Sequence, residues 1–148
     1  MPDNIHNVKR VLGFDFGHKH IGVAIGEVLT ATAKPLTTIS ARHGEPKWDD
    51  IQHLVERWNP EVLVVGVPIN IDGTDGAMTN PAKKFAQELS EKCLLPVIEV
   101  DERLTTIEAK QQLFEKGGFD ALDKATIDAY SAKLIVESWL SDLTREEL

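Results

Sequence analysis

In the stretch VLGFDFGHKHIGVAIG, residues 11–26, Asp15 stands between Phe14 and Phe16 in a run that otherwise reads as buried strand. Asp101 and Glu102 close a second apolar run, PVIEV. Asp128 shares a helical face with Ala132, Ile135 and Trp139, four, seven and eleven residues further on. An isolated ionised carboxylate in such surroundings is costly unless it is neutralised, paired or bound to a cation. A single Asp at a strand end or in the first turns of a helix is often only a turn, cap or macrodipole residue. Several brought close together repel unless something positive lies between them. Oxygen donors with no His or Cys among them suit Mg²⁺ or Mn²⁺ and not zinc. A carboxylate-held pair of such ions cleaves phosphodiesters, one ion activating water and the other stabilising the leaving oxygen. A nuclease is therefore a natural reading, although spacing alone does not select it.

The elements that must position these groups follow from hydrophobic periodicity. KRVLGFDFG and IGVAIGEV read as a hairpin turning through GHKH, and ATAKPLTTIS as a third strand that Pro35 assigns to a sheet edge. PKWDDIQHLVERWNP places Trp48, Ile51, Leu54, Val55 and Trp58 at helical spacing and stops at Asn59 and Pro60. EVLVVGVPI is a strand apolar enough to be covered on both faces. NIDGTDG is then an exposed loop at its C-terminal end. Asn80 and Pro81 predict the cap and first position of a helix that buries Ala82, Phe85, Ala86, Leu89 and Cys93. LPVIEVDER is a strand, LTTIEAKQQLFEKGG a helix with capping-box spacing at Thr105 and Glu108, and DKATIDAYSAKLIVESWL a helix capped by Asp123. The expected fold class is α/β, with a mixed five-stranded sheet whose first three strands are antiparallel and which helices flank. Ligand sites in such sheets gather at the C-terminal ends of parallel strands. Here those ends carry FGHKH, NIDGTDG and DERLTT.

A chain of 148 residues has room for one domain with a real core, with residues 1–8 as a flexible tail. The N-terminus shows no signal-peptide pattern and no 18-residue apolar run exists, so a cytoplasmic protein without membrane contact is expected. The lone Cys93 has no disulfide or zinc partner and reads as a core residue. A net charge of −8 disfavours indiscriminate binding to polyanions, so any nucleic-acid contact must rest on local basic residues.

Four motifs in order, LGFDFGHKHIGVAIG, VVGVPINIDGTDG, DERLTTIEA and IDAYSAKLIVESWL, resemble the YqgF family, also called RuvX, over about residues 10–140. The family is similar in fold to ribonuclease H and to the Holliday-junction resolvase RuvC, and its members are described as nucleases that mature the 5′ end of pre-16S ribosomal RNA. The resemblance implies that Asp15, Glu102 and Asp128 are the acidic metal-binding triad, with Asp101 as an alternative ligand, and that two Mg²⁺ or Mn²⁺ ions are the cofactors. It implies nucleic acid as partner, structured precursor rRNA ahead of a DNA junction, together with ribosomal precursor particles, for a monomer or weak dimer. The chain departs from the family pattern at His18, where a small hydroxyl residue is common, and at His20, often Arg or Ser.

The basic residues nearest these carboxylates are Lys19, Arg103, Lys83 and Lys84. Arg103 can clamp a phosphate or hold a carboxylate in place. Asn70, Asp72, Gly73 and Thr74 form a polar loop able to shape a strand-binding groove, whereas Asp75 and Gly76 read as plain turn. Trp48, Trp58 and Trp139 keep helical spacing with other apolar residues and read as packing, not base stacking. DFG alone does not make a kinase: no glycine-rich phosphate loop or HRD-type loop accompanies it. An actin-like nucleotide fold needs a second domain for which there is no room. The rival readings of function are a resolvase of branched DNA with the same fold and a non-catalytic RNA-binding factor of ribosome assembly.

Overall fold

The computed structural model describes residues 8–102, 105–117 and 124–147. β1 (Arg10–Asp15) and β2 (His20–Glu27) form the expected hairpin, with Asp15 opposite Gly22. β3 (Thr32–Arg42) pairs antiparallel with β2, and the register slips between Val23 and Ala24, whose partners are Thr37 and Pro35. Pro35 has no N–H to give to an outer ladder. It needs none, because the outermost strand, β4 (Glu45–Pro46), reaches only Ala41 and Arg42. β4 is a two-residue addition to the five expected strands, folded back through His43 and Gly44, whose φ values are 53° and 80°.

The sheet order is β4-β3-β2-β1-β5-β6, with β5 (Val62–Val67) parallel to β1 and β6 (Val97–Asp101) parallel to β5. Every residue of β5 is buried, as its unbroken apolar sequence requires. On one face Leu12, Phe14, Ile21, Val23, Leu63 and Val65 pack with Ile51 of α1 (Trp48–Trp58) and with Phe85 and Leu89 of α2 (Thr79–Cys93). On the other, Val11, Ala24, Val62 and Val64 meet Ala132, Ile135, Val136 and Trp139 of α4 (Lys124–Glu147). α3 (Thr105–Gly117) packs on α4 through Ala109, Leu113, Ile127 and Tyr130. Side chains alternate along a strand, so Asp15 falls on the α4 face with Val11 and Gly13, and Phe16 falls on the α1/α2 face.

The helix ends follow the sequence in one case and not in another. Asn59 adopts the left-handed conformation (φ 49°) and its N–H donates to Val55 O, ending α1 at the predicted position. α2 begins at Thr79, and Asn80 does not cap it. The Thr79 hydroxyl donates to the Pro68 carbonyl and accepts from Gly76 N–H at 2.8 Å, and these contacts fix the helix start two residues earlier. The capping call at Thr105 and Glu108 rests on side chains that are not described, and Asp123 lies outside the described residues. Trp139 is buried, Trp48 stacks on Phe85 at 5.9 Å, and Trp58 packs against the α1/α2 core, as does the half-buried Cys93. Among the described residues no helix is long and apolar enough to cross a membrane.

Candidate active site

Asp15 ends β1 with a glycine beside it on each side, Gly22 on β2 and Gly66 on β5. Paired residues project to the same face, so the two glycines leave a trough around the carboxylate on the α4 side. The trough is filled from outside the sheet. A Cβ at Gly22 would lie 1.9 Å from the backbone oxygen of Asp128 and 2.8 Å from Ala129 N, so the second turn of α4 sits directly on β2. A Cβ at Gly66 would lie 2.1 Å from Glu102 Oε2 and 2.4 Å from Ile135 Cδ1, so the Glu102 carboxyl group lies over β5, under the helix. Glu102 follows the last residue of β6, and its N–H donates to Val67 O at 3.2 Å, which holds it against the neighbouring strand.

Asp15, Glu102 and Asp128, from segments far apart in sequence, thereby line one cleft of about 580 Å³, with Lys19, His20 and Met78 also on its walls. Asp128 is buried. Glu102 Oε2 is sealed from solvent and has no hydrogen-bond partner. Burial raises the Glu102 carboxyl from 4.5 to about 10, helped by the charge of Asp15, a hydrogen bond with the Asp15 side chain and the charge of Asp101. In the absence of a cation Glu102 therefore carries a proton at neutral pH. Among the described residues no three His, Cys, Asp or Glu side chains are gathered tightly enough to hold an ion as they stand.

Asp101 is exposed and is not among the residues lining the cleft. Strand alternation turns it to the face opposite Glu102. Arg103 lies outside the described residues. Asn70, Asp72, Gly73 and Thr74 form a tight turn between Pro68 and Met78, two residues of the cleft wall. Gly73 has φ 92°, Asn70 N–H donates to Thr74 O at 2.9 Å, and Asp72 Oδ1 accepts from both the N–H and the hydroxyl of Thr74. The loop is thus cross-braced at the rim. Asp75 bridges to Ile69, and Lys84 lies 4.0 Å from Glu88 on the exposed side of α2. Sequence reasoning missed Gly22 and Gly66. The available signal was a glycine inside each of two apolar strands, a usual mark of close approach by another part of the chain.

The model of a family described as RuvX, Holliday junction resolvase, matches residues 9–142. The chain belongs to the RuvX family. Relatives in Shewanella oneidensis and Aeromonas salmonicida, each named "Putative pre-16S rRNA nuclease", are 51% and 49% identical to it. The alignments cover 92% and 90% of this chain and 96% of each relative. Among solved structures the chain is similar to Thermus thermophilus RuvC in complex with a Holliday junction substrate (TM-score 0.55, 16% identity, 93% of this chain and 96% of that one). It is also similar to a fowlpox virus resolvase with junction DNA (TM-score 0.53, 16% identity, 90% and 98%). Identity this low shows a shared fold alone, the ribonuclease H-like arrangement expected for RuvX proteins.

Proposed function

We propose that this RuvX protein is a divalent-metal-dependent nuclease that matures the 5′ end of pre-16S rRNA in the cytoplasm, with Asp15, Glu102 and Asp128 holding two Mg²⁺ or Mn²⁺ ions. One observation carries the reading: three carboxylates from β1, the end of β6 and α4 line a single cleft at the C-terminal ends of parallel strands. Their chemistry fits a hard cation. All donors are carboxylate oxygens, Glu102 Oε2 is buried without a hydrogen bond, and the Asp15 and Glu102 side chains are in contact. Such ions supply an activated water and stabilise the leaving oxygen of a phosphodiester.

The chain's own residues do the rest. Asp15 is held in the middle of the sheet, so its carboxylate does not drift. Glu102 would hold such an ion as its carboxylate and would have to release its proton to do so, which would couple metal affinity to pH. Lys19 offsets phosphate charge at the mouth, Arg103 clamps a phosphate oxygen, and the turn of Asn70, Asp72, Gly73 and Thr74 walls the groove. The relatives' names support rRNA as the substrate. A second reading, resolution of four-way DNA junctions, has the family description behind it. Incubating the protein with Mg²⁺ or Mn²⁺ and either a 5′-extended 16S precursor or a four-way junction separates them. Wild type cuts the precursor, and Asp15→Asn and Asp128→Asn do not. Cleavage of the junction alone moves the function to DNA, cleavage untouched by either substitution sinks the carboxylate mechanism, and binding without cleavage leaves an assembly factor.

A further inference from the structure

Strand alternation puts Phe16 on the opposite face of the sheet from Asp15, one residue along. A second pocket, of about 370 Å³, opens there. Its apolar floor is Phe16 and Phe85, with ring centroids 5.1 Å apart, and its rim carries His18, His43, Lys84 and Glu88. Phe16 and His18 line both this pocket and the carboxylate cleft, so the two are continuous across the end of β1. Its wall is built, not incidental. Gly44, at φ 80°, comes so close that a Cβ would lie 3.0 Å from Phe16 Cζ and 3.5 Å from His18 Nδ1, and its N–H donates to His18 O at 2.9 Å.

The charge of the pocket selects its occupant. Lys84 is faced by Glu88 at 4.0 Å, and Glu45 accepts from Trp48 Nε1 at 2.7 Å, so two carboxylates stand against one ammonium. A second phosphate is disfavoured there. A neutral, flat, partly polar group fits: the exposed imidazoles of His18 and His43 contact its faces above the largely buried Phe16 and Phe85, while Glu88 and Lys84 offer an acceptor and a donor to its edge. We infer that this pocket receives the unpaired nucleobase of a nucleotide adjoining the scissile phosphate, with the backbone bending over the Gly17–His18 turn from one face of the sheet to the other. The inference rests on the nuclease reading and deepens it: the substrate must be single-stranded on one side of the cut, because a stacked and paired base cannot enter a walled pocket.

The test uses 5′-extended precursor RNAs carrying a single abasic ribose, or a single 2-aminopurine, at each position around the cut. With Mn²⁺ and wild-type protein, one abasic position lowers kcat/KM roughly 5- to 150-fold, the worth of one base–aromatic stack. His43→Asn, at a residue of this pocket that does not line the carboxylate cleft, lowers cleavage of intact RNA, yet adds little on that abasic RNA; Asn tolerates the left-handed backbone at position 43. In Asp15→Asn, which binds without cutting, 2-aminopurine fluorescence changes at the same position, and a further His18→Ala removes the change. Cleavage indifferent to every abasic site, or losses that multiply, overturns the pocket while leaving the nuclease reading intact. If nothing is cut, the nuclease reading fails and fluorescence still decides: a change at one position, lost with His18→Ala, upholds the pocket, and none at any position overturns it.

Discussion

Gly66→Ala separates the positioning of Glu102 from the stability of the sheet–helix contact. The added methyl would stand 2.1 Å from Glu102 Oε2, 2.8 Å from its Cδ and 2.4 Å from Ile135 Cδ1. Glu102 is the more mobile of the two neighbours, because Ile135 is fully buried; the carboxyl group therefore swings outward by more than an ångström. Overpacking of this kind costs about 1–3 kcal/mol, which for a chain of this size lowers Tm by roughly 2–12 °C. Displacing a catalytic group by about 1 Å costs on the order of 100-fold in rate. The expected variant is folded and modestly destabilised, and its metal-dependent cleavage falls about 100-fold when assayed well below its Tm. Gly13→Ala is the control. Its methyl would meet Val136 Cγ2 at 2.2 Å on the same helix, away from the carboxylates, so it should lose comparable stability and keep cleavage near wild type. Gly66→Ala cutting within threefold of wild type, or Gly13→Ala losing as much activity as Gly66→Ala, refutes the claim that Gly66 exists to seat Glu102.

Gly22→Ala should be the most damaging glycine substitution, because its methyl would overlap Asp128 O, C and Ala129 N, backbone atoms that cannot turn aside; loss of soluble protein or a Tm drop larger than that of Gly66→Ala is the expected result. The Glu102 carboxyl, near 4.5 when unfolded and pushed up to about 10 in the fold, binds a proton in the native state that the unfolded chain releases. Its contribution to stability is thus full below about pH 4.5 and drains away as pH rises towards 10, by at most about 1.4 kcal/mol per pH unit. Melting curves of metal-free protein from pH 5 to 9 should be flatter for Glu102→Gln than for wild type, and parallel curves would contradict the raised value. Thr79→Val removes the hydroxyl shared by Pro68 O and Gly76 N–H, costing about 1–3 kcal/mol and speeding amide exchange in residues 70–76; unchanged exchange there would show that Thr79 does not brace the loop.

Much of this architecture was legible from periodicity. β5 announces a strand covered on both faces, α1 and α2 carry their apolar stripes at helical spacing, and Asn59 and Pro60 mark a helix end in the right place. Asp15 and Asp128 stood out because each is a charge in an apolar setting, a local property. What was not legible depends on contacts between segments distant in sequence. No spacing rule says that Gly22 and Gly66 flank Asp15, since strand register is a tertiary property. The choice between Asp101 and Glu102 is likewise a question of which way β6 faces the sheet. The start of α2 was misjudged for the same reason: Asn80 is a good cap by composition, but the Thr79 hydroxyl is held by a carbonyl eleven residues away.

The seating of α4 on the glycine trough also bears on how the protein is made. Asp15 emerges early in synthesis, whereas Asp128 and the apolar residues that hold its helix down, Ala132 to Leu143, come more than a hundred residues later. A nascent chain without α4 leaves one face of the sheet bare, with Asp15 and Gly66 open to water and the carboxylate set incomplete. Ribosome-bound intermediates should therefore be inert towards the RNA around them, and chains terminated before α4 should be cleared as aggregates, not persist as weakly active fragments.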